Sequence, residues 1–271
     1  MIKKTVFFAF VVLNIVALLA SAAGKRVICE GSTTVLPIAQ ALSEEFMDKN
    51  PKVTISVRGG GSGVGIAALL EKRCDIANSS RSIKDAELQK AAGRGIDPKA
   101  HIVAMDGIAV IVHSSNKVGE LSKKQIKDIY TGKLSNWSQL GGNNAKIVVI
   151  SRDSASGTFE AFGELALNKE KVRSDALMQA SNQAINSTVT KTPGAIGYVG
   201  IGYVGTGVKT VTVNGVNPTR ETVLSGKYPY SRPLFMYTNG APAGDVKSFI
   251  DFILSKEGQK LVEEQGFVGL K

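Results

Sequence analysis

The sequence predicts an α/β protein, and three observations carry that prediction. Short apolar runs alternate with amphipathic stretches along most of the chain. Val27-Ile28-Cys29 precedes a helical pattern of Ile38, Leu42 and Phe46, and Val53-Thr54-Ile55-Ser56-Val57 precedes Ile66, Leu69 and Leu70. Asp75-Ile76-Ala77 leads to a helix near 85–92, and Ile147-Val148-Val149-Ile150 leads to Phe159, Phe162 and Leu165. Secondly, each of these strand-to-helix junctions is a turn of Gly, Ser or Thr. Thirdly, strands alternating with helices are the signature of the α/β class rather than of an all-β or all-α chain.

The remaining elements follow in order. Pro37 fits the first turn of the first helix, where its missing N–H is no loss. Gly107-Ile108-Ala109-Val110-Ile111-Val112 reads as a buried strand that opens a second part of the chain. A helix over 123–130 follows, with Ser122 as N-cap and Gly132 as its stop. Residues 133–144 form a polar turn region holding Trp137, the single tryptophan. Gly194-Ala195-Ile196-Gly197-Tyr198-Val199 and Pro233-Leu234-Phe235-Met236-Tyr237-Thr238 are further strands, with a Gly/Thr/Val-rich stretch between them. A last helix places Val246, Phe249, Ile250 and Ile253 on one face, followed by Leu261 and Val262 after Gly258. No repeat or low-complexity segment is evident.

The turns carry the chemistry. Glu30-Gly31-Ser32-Thr33-Thr34, Gly59-Gly60-Gly61-Ser62-Gly63, Asn78-Ser79-Ser80-Arg81-Ser82 and Ser151-Arg152-Asp153-Ser154-Ala155-Ser156-Gly157-Thr158 all lie where a strand hands over to a helix. Free N–H groups at a helix start, with hydroxyls and a guanidinium beside them, suit a tetrahedral oxyanion. In an open α/β sheet such junctions gather outside the carboxyl ends of the strands. The hydroxyls of Ser32, Thr33, Thr34, Ser62, Ser80, Ser156 and Thr158 can therefore face one small space, with Arg81 and Arg152. Ser and Thr also cap helices without any ligand. It is the fourfold recurrence that favours a shared anion site.

Residues 1–22 read as an export signal: Lys3 and Lys4, an apolar core from Val6 to Ala20, and the small-residue pattern Ala20-Ser21-Ala22. Cleavage there would leave 249 of the 271 residues, enough for two lobes, with a net charge of +8 instead of +10 once Lys3 and Lys4 are gone. The apolar core is short for a membrane span, and no cysteine sits at the cleavage point to take a lipid. A soluble periplasmic protein is expected. The basic balance favours anions in general, but basic runs are only pairs and aromatics make up 6%, so no nucleic-acid stripe exists. Cys29 and Cys74 are either buried thiols or a disulfide; neither a zinc spacing nor a Cys-x-x-Cys pair is present.

With these motifs located, the chain resembles the periplasmic phosphate-binding subunits of phosphate ABC transporters, within the type II solute-binding proteins. Gly31-Ser32-Thr33-Thr34-Val35-Leu36-Pro37, Gly60-Gly61-Ser62-Gly63, Ser79-Ser80-Arg81, and Ser156-Gly157-Thr158 after Arg152 match that family's binding turns in order. Lys133-Leu134-Ser135-Asn136-Trp137, Gly194-Ala195-Ile196-Gly197-Tyr198 and Arg232-Pro233-Leu234 look like its scaffold motifs. The resemblance implies two lobes, 23–106 with 230–271 and 107–229. Each would hold a mixed sheet with flanking helices, and two crossing strands would join them. It implies a monomer that closes on inorganic phosphate and delivers it to a membrane permease, without cofactor or metal. By position the ligand would be met by Ser32, Thr33, Thr34, Gly61, Ser62 and Ser80 from one lobe and by Arg152, Ser156, Gly157 and Thr158 from the other.

The chain departs from the family in three places. Members of the family place an aspartate, which accepts the proton of hydrogen phosphate, where this chain has Ser80. Asp153 either takes over as acceptor or only orients Arg152. Arg81 is either a ligand cation or a surface residue, and Gly61 stands where serine is frequent, so only its backbone can contribute. Sulfate or another tetrahedral oxyanion is thus the alternative ligand. A hydrolase is disfavoured: Val64 breaks the nucleophile-elbow pattern at the glycine turn, and His101 and His113 lie outside the four turns. Gly200-Ile201-Gly202-Tyr203-Val204-Gly205 has the dinucleotide glycine spacing but no helix pattern after it.

Overall fold

The computed structural model describes residues 26–270; the expected export signal at 1–22 and the mature start at Ala23 lie outside the described residues. β1 (Arg26–Gly31) leads into α1 (Leu36–Lys49), β2 (Thr54–Gly59) into α2 (Ser62–Leu70), and β3 (Ile76–Ser79) into α3 (Asp85–Gly93). A long β4 (Pro98–His113) follows, then the short β5 (Glu120–Leu121) and α4 (Lys123–Thr131). After a 3₁₀ turn at Trp137–Leu140 come β6 (Val148–Arg152), α5 (Gly157–Leu165), β7 (Leu177–Gln179), α6 (Asn182–Lys191) and β8 (Ala195–Gly200). A second 3₁₀ turn, Ile201–Tyr203, precedes β9 (Val208–Thr210), β10 (Thr212–Val213) and α7 (Arg220–Leu224). β11 (Ser231–Asn239), α8 (Gly244–Leu254) and α9 (Lys256–Glu264) complete the chain.

Two mixed half-sheets share β4. One runs β2-β1-β3-β11-β4, the other β4-β8-β6-β7 with β9 also on β4. β1 pairs parallel with β2 and β3, whereas β11 is antiparallel to both β3 and β4. In the other half β6 is parallel to β7 and β8, and β8 is antiparallel to β4. Along β4 the partner changes within one peptide: Gly107 pairs with Ser231 of β11, and Ile108 with Gly200 of β8. The sequence pattern starts a strand only at Gly107, yet β4 begins nine residues earlier at Pro98. Its first residues, Pro98-Lys99-Ala100-His101, are exposed or half-buried and interleave Lys and His with Pro and Ala, so they show no apolar run.

The strand Ile108–Val112 is apolar throughout because both its faces are covered. Ile108, Val110 and Val112 join a core with Ile126, Tyr130, Phe162 and Tyr198, while Ala109 and Ile111 meet Ile185 and Val189 of α6. The first half has its own core, in which Val27, Ile38, Leu42 and Phe46 pack with Phe249, Ile250 and Ile253. Cys29 belongs to that core and Cys74 to a separate cluster with Ala68 and Leu69; both are free thiols, not a disulfide. The expected caps form: Ser122 Oγ accepts from Gln125 N at 3.1 Å, and Gly132 ends α4 with φ 91°. The glycine spacing at 200–205 falls at the end of β8 and in a 3₁₀ turn, with no helix after it.

Candidate functional site

The four turns meet. Thr34 Oγ1, from the turn after β1, lies 2.9 Å from Thr158 Oγ1 at the start of α5. Ser62 Oγ, on the first turn of α2, accepts from Ser80 N at 3.0 Å and lies 3.3 Å from Ser80 Oγ. Gly63 N donates to Ala155 O at 3.1 Å, which closes the remaining pair of turns. Ser32, Thr33, Thr34, Ser62, Ser80, Ser156 and Thr158 are all buried. Each comes from the carboxyl end of a strand or the first residues of a helix, as the sheet geometry requires.

Glycine is what lets the turns approach. Gly61 has φ 102°, a region that residues with a Cβ seldom occupy, and a Cβ there would stand 2.5 Å from Ala155 O. A Cβ on Gly157 would lie 2.2 Å from Ser62 Oγ and 2.8 Å from Ser80 Oγ.

Arg152 is 1% exposed. Its Nε donates to Gln179 O at 3.1 Å, and its Nη2 donates to Ala180 O at 2.9 Å and to Thr33 Oγ1 at 3.1 Å. Its Nη1 is buried with no acceptor. The end of β6 is held by Tyr198, whose hydroxyl accepts from Arg152 N at 3.2 Å and lies 2.9 Å from Ser151 Oγ. Phe162 of α5 stacks on the same ring at 3.9 Å. The scaffold motif around Tyr198 thus fixes where Arg152 can reach. Asp153 does not hold the guanidinium; its Oδ1 accepts from Ala155 N at 3.0 Å and shapes the turn.

Three residues of the cluster were not among the candidates read from the sequence. Arg232 of β11, 5% exposed, donates from Nη2 to Thr158 Oγ1 at 3.0 Å and from Nη1 to Ser80 O at 3.1 Å. Its Nε and Nη2 also reach Asp106 Oδ2 at 2.9 and 2.8 Å. Asp106 of β4 is fully buried, and its Oδ1 accepts from Ile201 N at 3.0 Å. Asn182, the first residue of α6, donates from Nδ2 to Thr34 Oγ1 at 3.0 Å and to Thr33 Oγ1 at 3.3 Å. Arg232 has a sequence signal: a charge opening an apolar strand, as Asp106 is a charge ending one, and two such charges of opposite sign suggest a buried pair.

Burial pushes the Arg152 guanidinium below its ordinary range, and Arg232 nearby adds to that. Burial also acts on the pair of Arg232 and Asp106, lowering the first and raising the second, and each opposes the shift in the other. The pair is thereby balanced, whereas Arg152 makes no ion pair among the described residues, and the neighbouring carboxylate of Asp153 acts on it only at a distance. Arg81 points elsewhere. It is 9% exposed and takes Glu87 through Nη1 and Nη2 at 2.8 Å each, with its Nε 2.5 Å from Glu160 Oε2 of α5. Lys84 Nζ reaches the same Glu160 oxygen at 2.8 Å. Arg81, Lys84 and Glu160 line a crevice of about 460 Å³ that borders the cluster and includes Ser80 and Arg232 in its wall.

Comparison with known proteins places this arrangement. Residues 20–257 match the PBP superfamily domain. The phosphate-binding protein PstS of Bacillus subtilis is 35% identical over 88% of this chain and 78% of its own length. PstS of Borreliella burgdorferi is 35% identical over 89% of this chain and 88% of its own. The chain belongs to the PstS phosphate-binding protein family. A phosphate ABC transporter substrate-binding protein from Clostridium perfringens, crystallised with bound phosphate, superposes with a TM-score of 0.85 at 39% identity, covering 91% of this chain and all of that one. The fold is accordingly that of the type II phosphate-binding proteins, with β4 running through both half-sheets. Among the described residues no cluster of His, Cys, Asp and Glu is placed to hold a metal, and no helix is long and apolar enough to cross a membrane.

Proposed function

We propose that this chain is an exported receptor that captures inorganic phosphate between two lobes and presents it to the permease of an ABC transporter. The observation that carries the reading is Arg152 Nη1, a buried cationic donor with no acceptor, inside a ring of hydroxyls. A buried charge left uncompensated is strongly unfavourable, so the cluster is complete only with an anion present.

The lobes are assigned as 23–106 with 230–271, and 107–229. Ser32, Thr33, Thr34, Gly61, Ser62 and Ser80 then serve from the first, and Arg152, Ser156, Gly157 and Thr158 from the second. Arg232 joins them as a second cation, already half-satisfied by Asp106. Arg81 acts at the edge, bridging Glu87 to Glu160 rather than meeting the ligand. Asp153 serves its own turn.

A charge-assisted hydrogen bond contributes about 1.5–3 kcal/mol. Several of them exceed the roughly 8 kcal/mol of a micromolar complex, and the excess is consumed by stripping water from the dianion and by closing the lobes. The anion drives closure because it touches both lobes, and the closed shape is what a permease reads. Turnover is not part of this reading: His101 pairs with Thr238 and His113 with Ser115, both away from the four turns that make the cluster. Export to the periplasm follows from residues 1–22, and the working unit is a monomer.

Titration calorimetry with phosphate and with sulfate tests the assignment. One phosphate per chain, bound more tightly than sulfate and recovered unaltered, is expected. Tighter sulfate binding, or phosphate-ester turnover by the purified protein, would overturn it.

A further inference from the structure

The geometry points to Asn182 as a positioning residue that sets the hydrogen-bond polarity of the site, turning threonine hydroxyl protons toward the anion. This rests on the reading of the cluster as an anion site. The orientation of the amide is fixed by the backbone: Gly200 N donates to Asn182 Oδ1 at 3.2 Å, so the opposite atom, facing the threonines, is the Nδ2 donor. Asn182 is fully buried, and its amide reaches across from α6 to the turn after β1.

A hydroxyl has one proton and two lone pairs. Thr33 Oγ1 receives Arg152 Nη2 at 3.1 Å and Asn182 Nδ2 at 3.3 Å. Both lone pairs are occupied, so Thr33 can only donate. Its carbonyl is held too, by the Tyr203 hydroxyl at 2.6 Å, which pins the turn. Thr34 Oγ1 receives Asn182 Nδ2 at 3.0 Å and Arg232 Nη2 at 3.5 Å, and its neighbour Thr158 Oγ1 is 2.9 Å away. Arg232 Nη2 has two protons, one on Asp106 Oδ2 at 2.8 Å and one on Thr158 Oγ1 at 3.0 Å, so its 3.5 Å approach to Thr34 fills no lone pair of its own. Asn182 Nδ2 occupies one lone pair of Thr34, and a Thr34 proton passed to Thr158 fills the second lone pair there and frees the Thr158 proton for the anion. One amide thus commits the Thr33 proton directly and biases that of Thr158 through Thr34.

The hydroxyls of Ser32 and Ser156 are polarised the same way by backbone donors, Thr34 N at 3.1 Å and Phe159 N at 3.2 Å. Ser80 Oγ differs: its only hydroxyl neighbour is Ser62 Oγ, and no N–H reaches it. The threonine hydroxyls, Ser32 and Ser156 are thus turned toward donation, whereas Ser80 keeps lone pairs for a proton on the ligand.

Two substitutions at one position separate polarity from packing. Asn182→Asp has the same shape, so a packing role predicts that it binds phosphate like the wild type and that Asn182→Ala is the damaging change. Polarity predicts the reverse order. The carboxylate would accept the threonine protons and pull them from the anion, weakening phosphate by more than about 100-fold, whereas Asn182→Ala loses about tenfold. Because the added charge contributes to the first figure, a double-mutant cycle completes the test. In a Thr33→Val, Thr158→Val background the Asn182→Ala change should alter phosphate affinity less than about twofold. Additive losses in that cycle, an Asn182→Ala protein within about twofold of wild type, or an Asn182→Asp protein that binds like wild type would each overturn the proposal. A wild type that binds no phosphate would instead remove the functional reading beneath it.

Discussion

Replacing Arg152 by methionine tests the central charge argument quantitatively. Nη1 carries two protons and no acceptor, so it can give the anion two charge-assisted bonds. At about 1.5–3 kcal/mol each these amount to about 3–6 kcal/mol, or about 100-fold to 20,000-fold in affinity. Thr33 Oγ1 also loses the donor at 3.1 Å that fills one of its lone pairs, which moves the outcome toward the upper end. Stability without ligand should change in the opposite sense. The substitution removes a buried cation that makes no ion pair, worth several kcal/mol of desolvation, and leaves the Ala180 carbonyl without its donor and the Gln179 carbonyl with only Asp153 N at 3.2 Å, about 1 kcal/mol or less each. The unliganded variant is therefore expected to melt no lower than the wild type. Free phosphate at about 100 times Kd stabilises the wild type by about 2.7 kcal/mol, a rise of about 5–11 °C for a chain of this size. The variant should show almost none of that rise. Calorimetric titration and thermal melts with and without phosphate measure both quantities. A loss smaller than about fivefold, or a variant that melts well below the wild type yet keeps its phosphate response, would refute the reasoning.

Three further outcomes are expected. Gly157→Ala places a methyl 2.2 Å from Ser62 Oγ, so the turns cannot meet; phosphate binding should vanish while the unliganded melt stays near wild type, and retained affinity would contradict the apposition. Glu160→Gln removes the charge that pairs with Arg81 Nε and Lys84 Nζ across the cluster's edge, and stopped-flow should show phosphate leaving about three to ten times faster at low salt, with the difference shrinking as salt is added. Burial raises the Cys74 thiol from 9.0 to about 12 and pushes Cys29 higher still. An unfolded chain would ionise both near pH 9.0 and the folded one would not, so this contribution to stability is intact below pH 9.0 and is lost as pH rises toward about 12. Near neutral pH neither thiol should react with an alkylating reagent until the protein is unfolded, and modification of the native protein would contradict the burial.

What could be read from the sequence was what is local. The four turns were legible because each announces itself within about ten residues, as an apolar run, then Gly, Ser or Thr, then helical spacing. A continuous apolar run likewise marked the strand at Ile108–Val112, and Ser122 and Gly132 marked the caps of α4. Residues that act from elements distant in the chain were not legible. Asn182 opens a helix whose pattern gives no reason to mark one amide, and its partners Thr33 and Thr34 lie almost 150 positions earlier. Arg232 read as part of a scaffold motif, because only the antiparallel register of β11 on β4 brings it to Asp106. Arg81 looked like a surface residue or a ligand because its acceptors, Glu87 and Glu160, come from two helices. The early start of β4 was hidden by the mixed, solvent-facing residues from Pro98 to His101.

The exchange of partners along β4 has a mechanical consequence. A swing about the Gly107–Ile108 peptide would leave the ladder to β11 intact on one side and the ladder to β8 intact on the other. On the proposed reading the molecule flexes as a leaf spring does, storing the displacement in twist along one continuous ribbon, with only the bond from Ile108 N to Tyr230 O spanning the bend. Rapid gating and a rigid interior are then compatible, and amide protons on both flanks of that peptide should resist exchange equally whether the jaws are apart or shut.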